Sequence, residues 1–127
     1  MARENILRLL GDLTASADLH TDQYCAVKMS GVNTVTVVAA ATDVAIGILQ
    51  NKPVANEAAA IAVEGVSKAR AGAAITAGAA LMCDSSGRVI TATGSTAHTL
   101  GQALETSTAA DQIISVLLRS ATQHIIP

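Results

Sequence analysis

Cys83 sits beside an acid and two serines in AGAAITAGAALMCDSSGRVITATG, residues 71 to 94, and is the side chain best placed for nucleophilic chemistry. A cysteine nucleophile needs a base to take its proton and a third group to orient that base; His98 or His124 and Asp84 are the candidates. Nothing in the spacing brings either histidine to Cys83, and its alternation with Met82 and Asp84 suits an inward-pointing strand residue. His20, His98 and His124 are widely separated and match no metal-ligand pattern. A phosphate-binding loop needs four residues between its glycines and then Lys-Ser/Thr; here Gly72 and Gly78 are separated by five, and Ala79 and Ala80 follow. The carboxylates Asp18, Asp22, Asp43, Glu57, Glu64, Asp84, Glu105 and Asp111 are scattered through turns and strand ends. With Tyr24 the sole aromatic side chain, no sugar platform accompanies them. The sequence therefore predicts no catalytic residue, no cofactor and no metal, with a small cysteine-dependent enzyme as the chemical alternative.

The elements that position these residues read as short strands. YCAVKMS (24 to 30), TVTVVAA (34 to 40) and VAIGILQ (44 to 50) carry β-branched and alternating residues and end at Gly31 or the turn-like NKP, which predicts a meander. AAAIAVEGVSKARA (58 to 71) puts Ile61, Val63 and Gly65 on one face. Ile75 begins a short strand, Gly78 marks a bend, and LMC and RVI flank DSSG. A loop with aspartate first and glycine last fits a hairpin closed by a type I turn and a glycine bulge, because glycine takes the left-handed position cheaply. The last third echoes an earlier segment. Aligning Gly101 with Gly47 lays Ala109 on Ala55, Asp111 on Glu57, and IISVLL over AAIAVE, an internal repeat that builds two similar strand pairs into one sheet or barrel.

Residues 1–23 read differently from residues 24–127. Ile6, Leu9, Leu10 and Leu13 fall at helical spacing, yet Gly11 interrupts them and TASADLHTDQ is polar and turn-prone. The segment reads as an N-terminal arm, with a short helix capping the chain's own sheet as the alternative. Ile125 and Ile126, like the arm, look made for a neighbour. These observations mark Ile6, Leu7, Leu9, Leu10, Leu13, Ile125 and Ile126 as candidate contacts with a partner surface or a second subunit.

At 127 residues the chain is long enough for one domain with a modest core, and half of it is hydrophobic with 1% aromatic. An alanine-rich core gains little burial energy per residue, so self-association is expected. The net charge is -2 and no segment concentrates lysine or arginine, so no nucleic-acid partner is expected. Two cysteines make no disulfide framework and suit a reducing cytosol. Charged residues break any signal-peptide core in MARENILRLLGDL, and no apolar run approaches the roughly 20 residues that span a bilayer.

The ordered phrases ADLHTDQYCAVKMSG (17 to 31), AIGILQNKPVANEAAAIAVEGVSKARAGAAITAGAALMCDSSGRV (45 to 89) and GQALETSTAADQIISVLL (101 to 118) resemble the small capsid cement, or decoration, proteins of tailed bacteriophages. The resemblance implies a mainly β fold: a compact β-sandwich or barrel-like, β-tulip-like domain (24–127) with an extended N-terminal arm (1–23). It implies a protein made in the host cytoplasm that joins the outer surface of a matured icosahedral head. There it binds the major capsid protein as a homo-oligomer, a trimer favoured over a dimer, and strengthens the shell against DNA pressure. No catalytic residues, cofactor, nucleic acid or membrane come with it. A tail or spike subunit is the alternative within the virion.

Overall fold

The computed structural model describes residues 5 to 93 and 98 to 123, and side chains for residues 8 to 93 and 98 to 119. The described residues form strands and turns with no helix: β1 (Asn5–Ala15), β2 (Ala26–Gly31), β3 (Thr34–Val37), β4 (Gly47–Leu49), β5 (Ala58–Arg70), β6 (Ala80–Cys83), β7 (Val89–Thr91), β8 (His98–Ala103) and β9 (Ile113–Gln123). β-branched residues are dense in β3 and β9, where side chains stand on a pleated surface against cross-strand neighbours.

The nine strands close into two rings that share one wall. β1 pairs with β3, β3 with β2, β2 with β4, β4 with β5, and β5 returns to β1. Beyond Gly65 the same β5 pairs with β9, then β9 with β8, β8 with β6, and β6 with β7. The Ala71↔Val89 bridge closes the second ring. Both closures are parallel, β1 on β3 and Ala71 on Val89, while the other pairings are antiparallel. A ring of five strands has a narrow interior, and barrel width grows with strand number. Small side chains fit such an interior, which gives the alanine content a structural reason within one chain: Ala59, Ala62, Ala69, Ala71 and Ala103 are all buried. Leu13, Ala15, Leu19, Val27, Val35, Leu49, Ala59 and Ile61 pack together in the first ring. A second cluster joins residues of the other ring, such as Leu81, Val89 and Val116, to Ala26, Val38 and Ala62.

The repeat extends well beyond the two strand pairs. Tyr24 N donates to Leu49 O, and Gly78 N to Ala103 O; Leu49 N donates to Cys25 O, and Ala103 N to Ala79 O; Val38 N donates to Ala26 O, and Ala92 N to Ala80 O. Each second bond is the first displaced by one constant separation along the chain. The left-handed residues follow the same rule: Tyr24 (φ 68) matches Gly78 (φ 95), and Asn33 (φ 59) matches Gly87 (φ 78), while Asn56 (φ 71) matches Asp111 (φ 68) one position out of step. Gly65 (φ 103) has no counterpart and stands on β5 where the strand passes from one ring to the other.

Two expectations need correction. The N-terminal segment is neither an extended arm nor a short helix across its described part: residues 5–15 are β1, with Arg8↔Glu64, Leu10↔Ile61 and Thr14↔Ala58 in register on β5. Register shifts between Asn5 and Arg8, Arg8 and Leu9, and Leu10 and Leu13 explain why its leucines miss an alternating pattern. The meander also fails, because β4 lies beside β2 rather than β3. Residues 38–46 carry the chain back, and Asp43 Oδ2 holds this crossing by accepting from Ala39 N, Ala40 N and Lys28 Nζ. The DSSG hairpin is as expected: Gly87 is left-handed, Gly87 N donates to Asp84 O at 3.2 Å, and Asp84 Oδ1 accepts from the amides of Ser86 and Arg88.

Candidate interaction surfaces

Cys83 is a strand residue facing inward, 3% exposed, and its thiol is pushed up from 9.0 to about 12, first by burial and then by Asp84, Cys25 and Asp43. No histidine among the described residues contributes to that shift. Cys25 is likewise free and buried, its thiol raised first by burial. At neutral pH both are thiols, which are poor nucleophiles. His20 Nδ1 lies 2.7 Å from Asp18 Oδ1 on an exposed turn, far from this chemistry in sequence and paired locally. His98 belongs to β8, and His124 lies outside the described residues. No group of three or more His, Cys, Asp or Glu among the described residues is arranged to hold a metal ion.

Two depressions mark the surface. A polar cleft of 290 Å³ lies at the junction of the two barrels, lined by Thr21, Asp22, Cys25, Arg70, Ser86, Arg88 and Asp111. Its charges are largely internal: Arg88 bonds Asp84 (Nε to Oδ2, 3.0 Å) and Asp111 (Nη1 to Oδ1, 3.3 Å). Burial raises the Asp22 carboxyl against the pull of Arg70. Arg70 Nε is buried without a hydrogen-bond partner among the described residues.

The second depression is an apolar groove of 440 Å³ lined by Arg8, Leu10, Val44, Ala45, Ile46, Val63 and Glu64. β3 covers the outer edge of β1 only at Thr14 and Ala15, which leaves the preceding stretch of β1 open toward this groove. Leu10 (38% exposed) and Val44 (52%) line it, the Arg8 to Glu64 ion pair at 3.5 Å spans its rim, and Leu9 (53%) is exposed on the same strand without lining it.

The candidate contact residues therefore separate. Leu9 and Leu10 are exposed, whereas Leu13 is buried in the first barrel and has no face left for a partner. Ile6 and Leu7 lie on β1 with side chains outside the description, and Ile125 and Ile126 lie outside the described residues. Sequence reasoning missed Val44 beside the groove and Met29 on β2, because their runs read as core strand, and it missed Val32, which falls in the turn between two predicted strands.

What this geometry offers a partner is surface, on an all-β body; the class is that of small structural β-proteins. The chain belongs to the phage cement protein family, whose model matches residues 12–119. Its fold is similar to that of the head fiber gp8.5 N base in bacteriophage phi29, with a TM-score of 0.68 at 13% identity, covering 94% of this chain and 100% of that one. No curated protein matches the chain. Family membership gives it a structural, decorating role on the phage capsid.

Proposed function

We propose that this protein binds the outer surface of a matured icosahedral phage head, contacts the major capsid protein as a homo-oligomer, trimeric by preference, and reinforces the shell against the pressure of packaged DNA. The family match over residues 12–119 carries this reading. The groove beside β1 supports it locally, since Leu10 and Val44 offer apolar area beside a strand that is already ordered by pairing with β5. Docking there involves little of the ordering cost, roughly 1 to 2 kcal/mol per residue, that a free arm would meet. Several copies on one oligomer turn modest contacts into lasting attachment. A protein that binds the assembled shell and not its separated subunits stabilises that shell by mass action. Synthesis in the host cytoplasm is part of the reading, and neither nucleic acid nor membrane enters it.

The test is co-sedimentation of the protein with undecorated, expanded capsids of the parent phage, read as copies per shell at saturation. Saturation at a number matching the three-fold and quasi-three-fold positions of the lattice is the expected result. No saturable binding to intact shells would overturn it.

A further inference from the structure

The internal repeat contains one contact that the chain uses and a matching contact that it leaves open. Inside the molecule, the β6–β7 turn of the second barrel seats on the first. Ala26 N donates to Gly87 O at 2.7 Å, and a side chain at Gly87 would press on Val37, on Ala26 O and on Cys25. Cys83, just before that turn, packs in one cluster with Ala26 and Val38. Both sides of the contact are buried: Cys25 and Cys83 are 3% exposed and Ala26 is 0%.

Carried through the repeat, the seating residues Cys83 and Gly87 correspond to Met29 and Asn33 of the first barrel, with Val32 at the tip between them. These are open: Met29 is 45% exposed, Val32 is 90%, and Asn33 is exposed. The receiving residues Tyr24, Cys25, Ala26 and Val37 correspond to Gly78, Ala79, Ala80 and Thr91 of the second barrel. These are open as well, Gly78 and Thr91 exposed and the two alanines half-buried. The two open patches fit each other chemically. Neither carries a charged residue, one presents two apolar knobs, and the other is a shelf of small residues that admits close backbone approach.

We propose that copies of this chain associate head to tail, Met29, Val32 and Asn33 of one copy seating on Gly78, Ala79, Ala80 and Thr91 of the next. The occupant is a second copy because the same turn already occupies the same kind of shelf within each copy. Such a contact joins two different patches, so it is heterologous and closes into a ring when the rotation per copy permits. It stands without any capsid, so its failure and the failure of shell binding are separately observable.

The experiment is sedimentation velocity on the purified full chain, with no shells present, at concentrations up to about 100 μM, where even weak specific contacts populate. The wild type is expected to sediment as an oligomer. Val32→Arg disables the knob and Thr91→Arg disables the shelf, the two like charges preventing a compensating pair; both sites are exposed, so both variants are expected to fold and to sediment as monomers. Mixing the two variants is the decisive step, because the intact shelf of one and the intact knob of the other allow a single contact. The mixture is expected to form dimers and nothing larger. A monomeric wild type, variants that oligomerise like the wild type, or a mixture that stays monomeric would each overturn the proposal. As a second measurement, Val32→Cys and Ala79→Cys proteins mixed under mild oxidation are expected to give a disulfide-linked heterodimer, the buried Cys25 and Cys83 remaining silent; its absence counts equally against the contact.

Discussion

Gly47 and Gly101 occupy the same position in the two barrels, and each faces a backbone carbonyl of the neighbouring strand: Ala62 O for Gly47 and Leu117 O for Gly101. Each lies where the strand crosses close to its partner, so an added methyl group meets main chain that cannot step aside. Gly47→Ala and Gly101→Ala are each expected to cost about 3 kcal/mol, at the upper end for overpacking. Gly11→Ala, with nothing within 4 Å of its new Cβ, is expected to be neutral or slightly stabilising. Urea unfolding midpoints of the three variants check the contrast.

Acid stability is expected to depend on Asp43. The hydrogen bond from Lys28 Nζ (2.8 Å), followed by that from the Ala39 amide, holds its carboxyl below 3.8 in the folded chain. A carboxyl depressed by folding contributes stability above the unfolded value, and that contribution is lost as pH falls through the lower folded value. Asp43→Ala is therefore expected to lower the urea midpoint at neutral pH. The gap to the wild type should narrow as pH is taken below 3.8; a gap independent of pH would remove the ion pair from the account.

Alkaline stability is expected to report Cys83. Its thiol titrates near 9.0 when unfolded and at about 12 when folded, so between those values the unfolded chain has lost a proton that the folded chain keeps. Stability then falls as pH rises, by up to about 1.4 kcal/mol per pH unit for one group. Cys83→Ala is expected to flatten the slope measured between pH 9 and 11 relative to the wild type. At neutral pH, alkylation of Cys83 in the folded wild type should be negligible, and its rapid labelling would reopen the cysteine-enzyme reading.

Shell binding is expected to depend on the open face of β1. Leu9→Asp and Leu10→Asp replace exposed side chains and should leave the melting transition in place, while weakening capsid co-sedimentation at least about tenfold, or about 1.4 kcal/mol. Deleting residues 2 to 13 is expected to do something different. It removes a wall of the first barrel, and loss of folding rather than loss of binding is the result to look for by circular dichroism.

The strand segments, the DSSG hairpin and the repeat were legible because they rest on local signals: β-branched alternation, and glycine where the chain turns left-handed. β1 was not, because its pattern is set by register shifts against β5 that a sequence does not display, and its leucines then imitate a helix. The order of β4 beside β2 depends on a crossing pinned by Asp43 through three separate donors, a tertiary arrangement. Among candidate contacts, the exposure of Leu9 and Leu10 agrees with their reading as apolar residues at a terminus without a core of its own. Leu13 reads the same way in sequence, and only the closure of the first barrel around it decides that it is core. Tyr24, Asn33, Asn56 and Asp111 take left-handed conformations without being glycine, so the full extent of the repeat stayed hidden.

The shared wall β5 has a mechanical meaning. It runs 13 residues and is flanked by β1 over one part and by β9 over the other, with ladder bonds perpendicular to its length. Tension applied along β5 loads those bonds in shear, so that a whole row must break together rather than unzip in turn. The joint between the barrels is thereby stiffest along β5 itself.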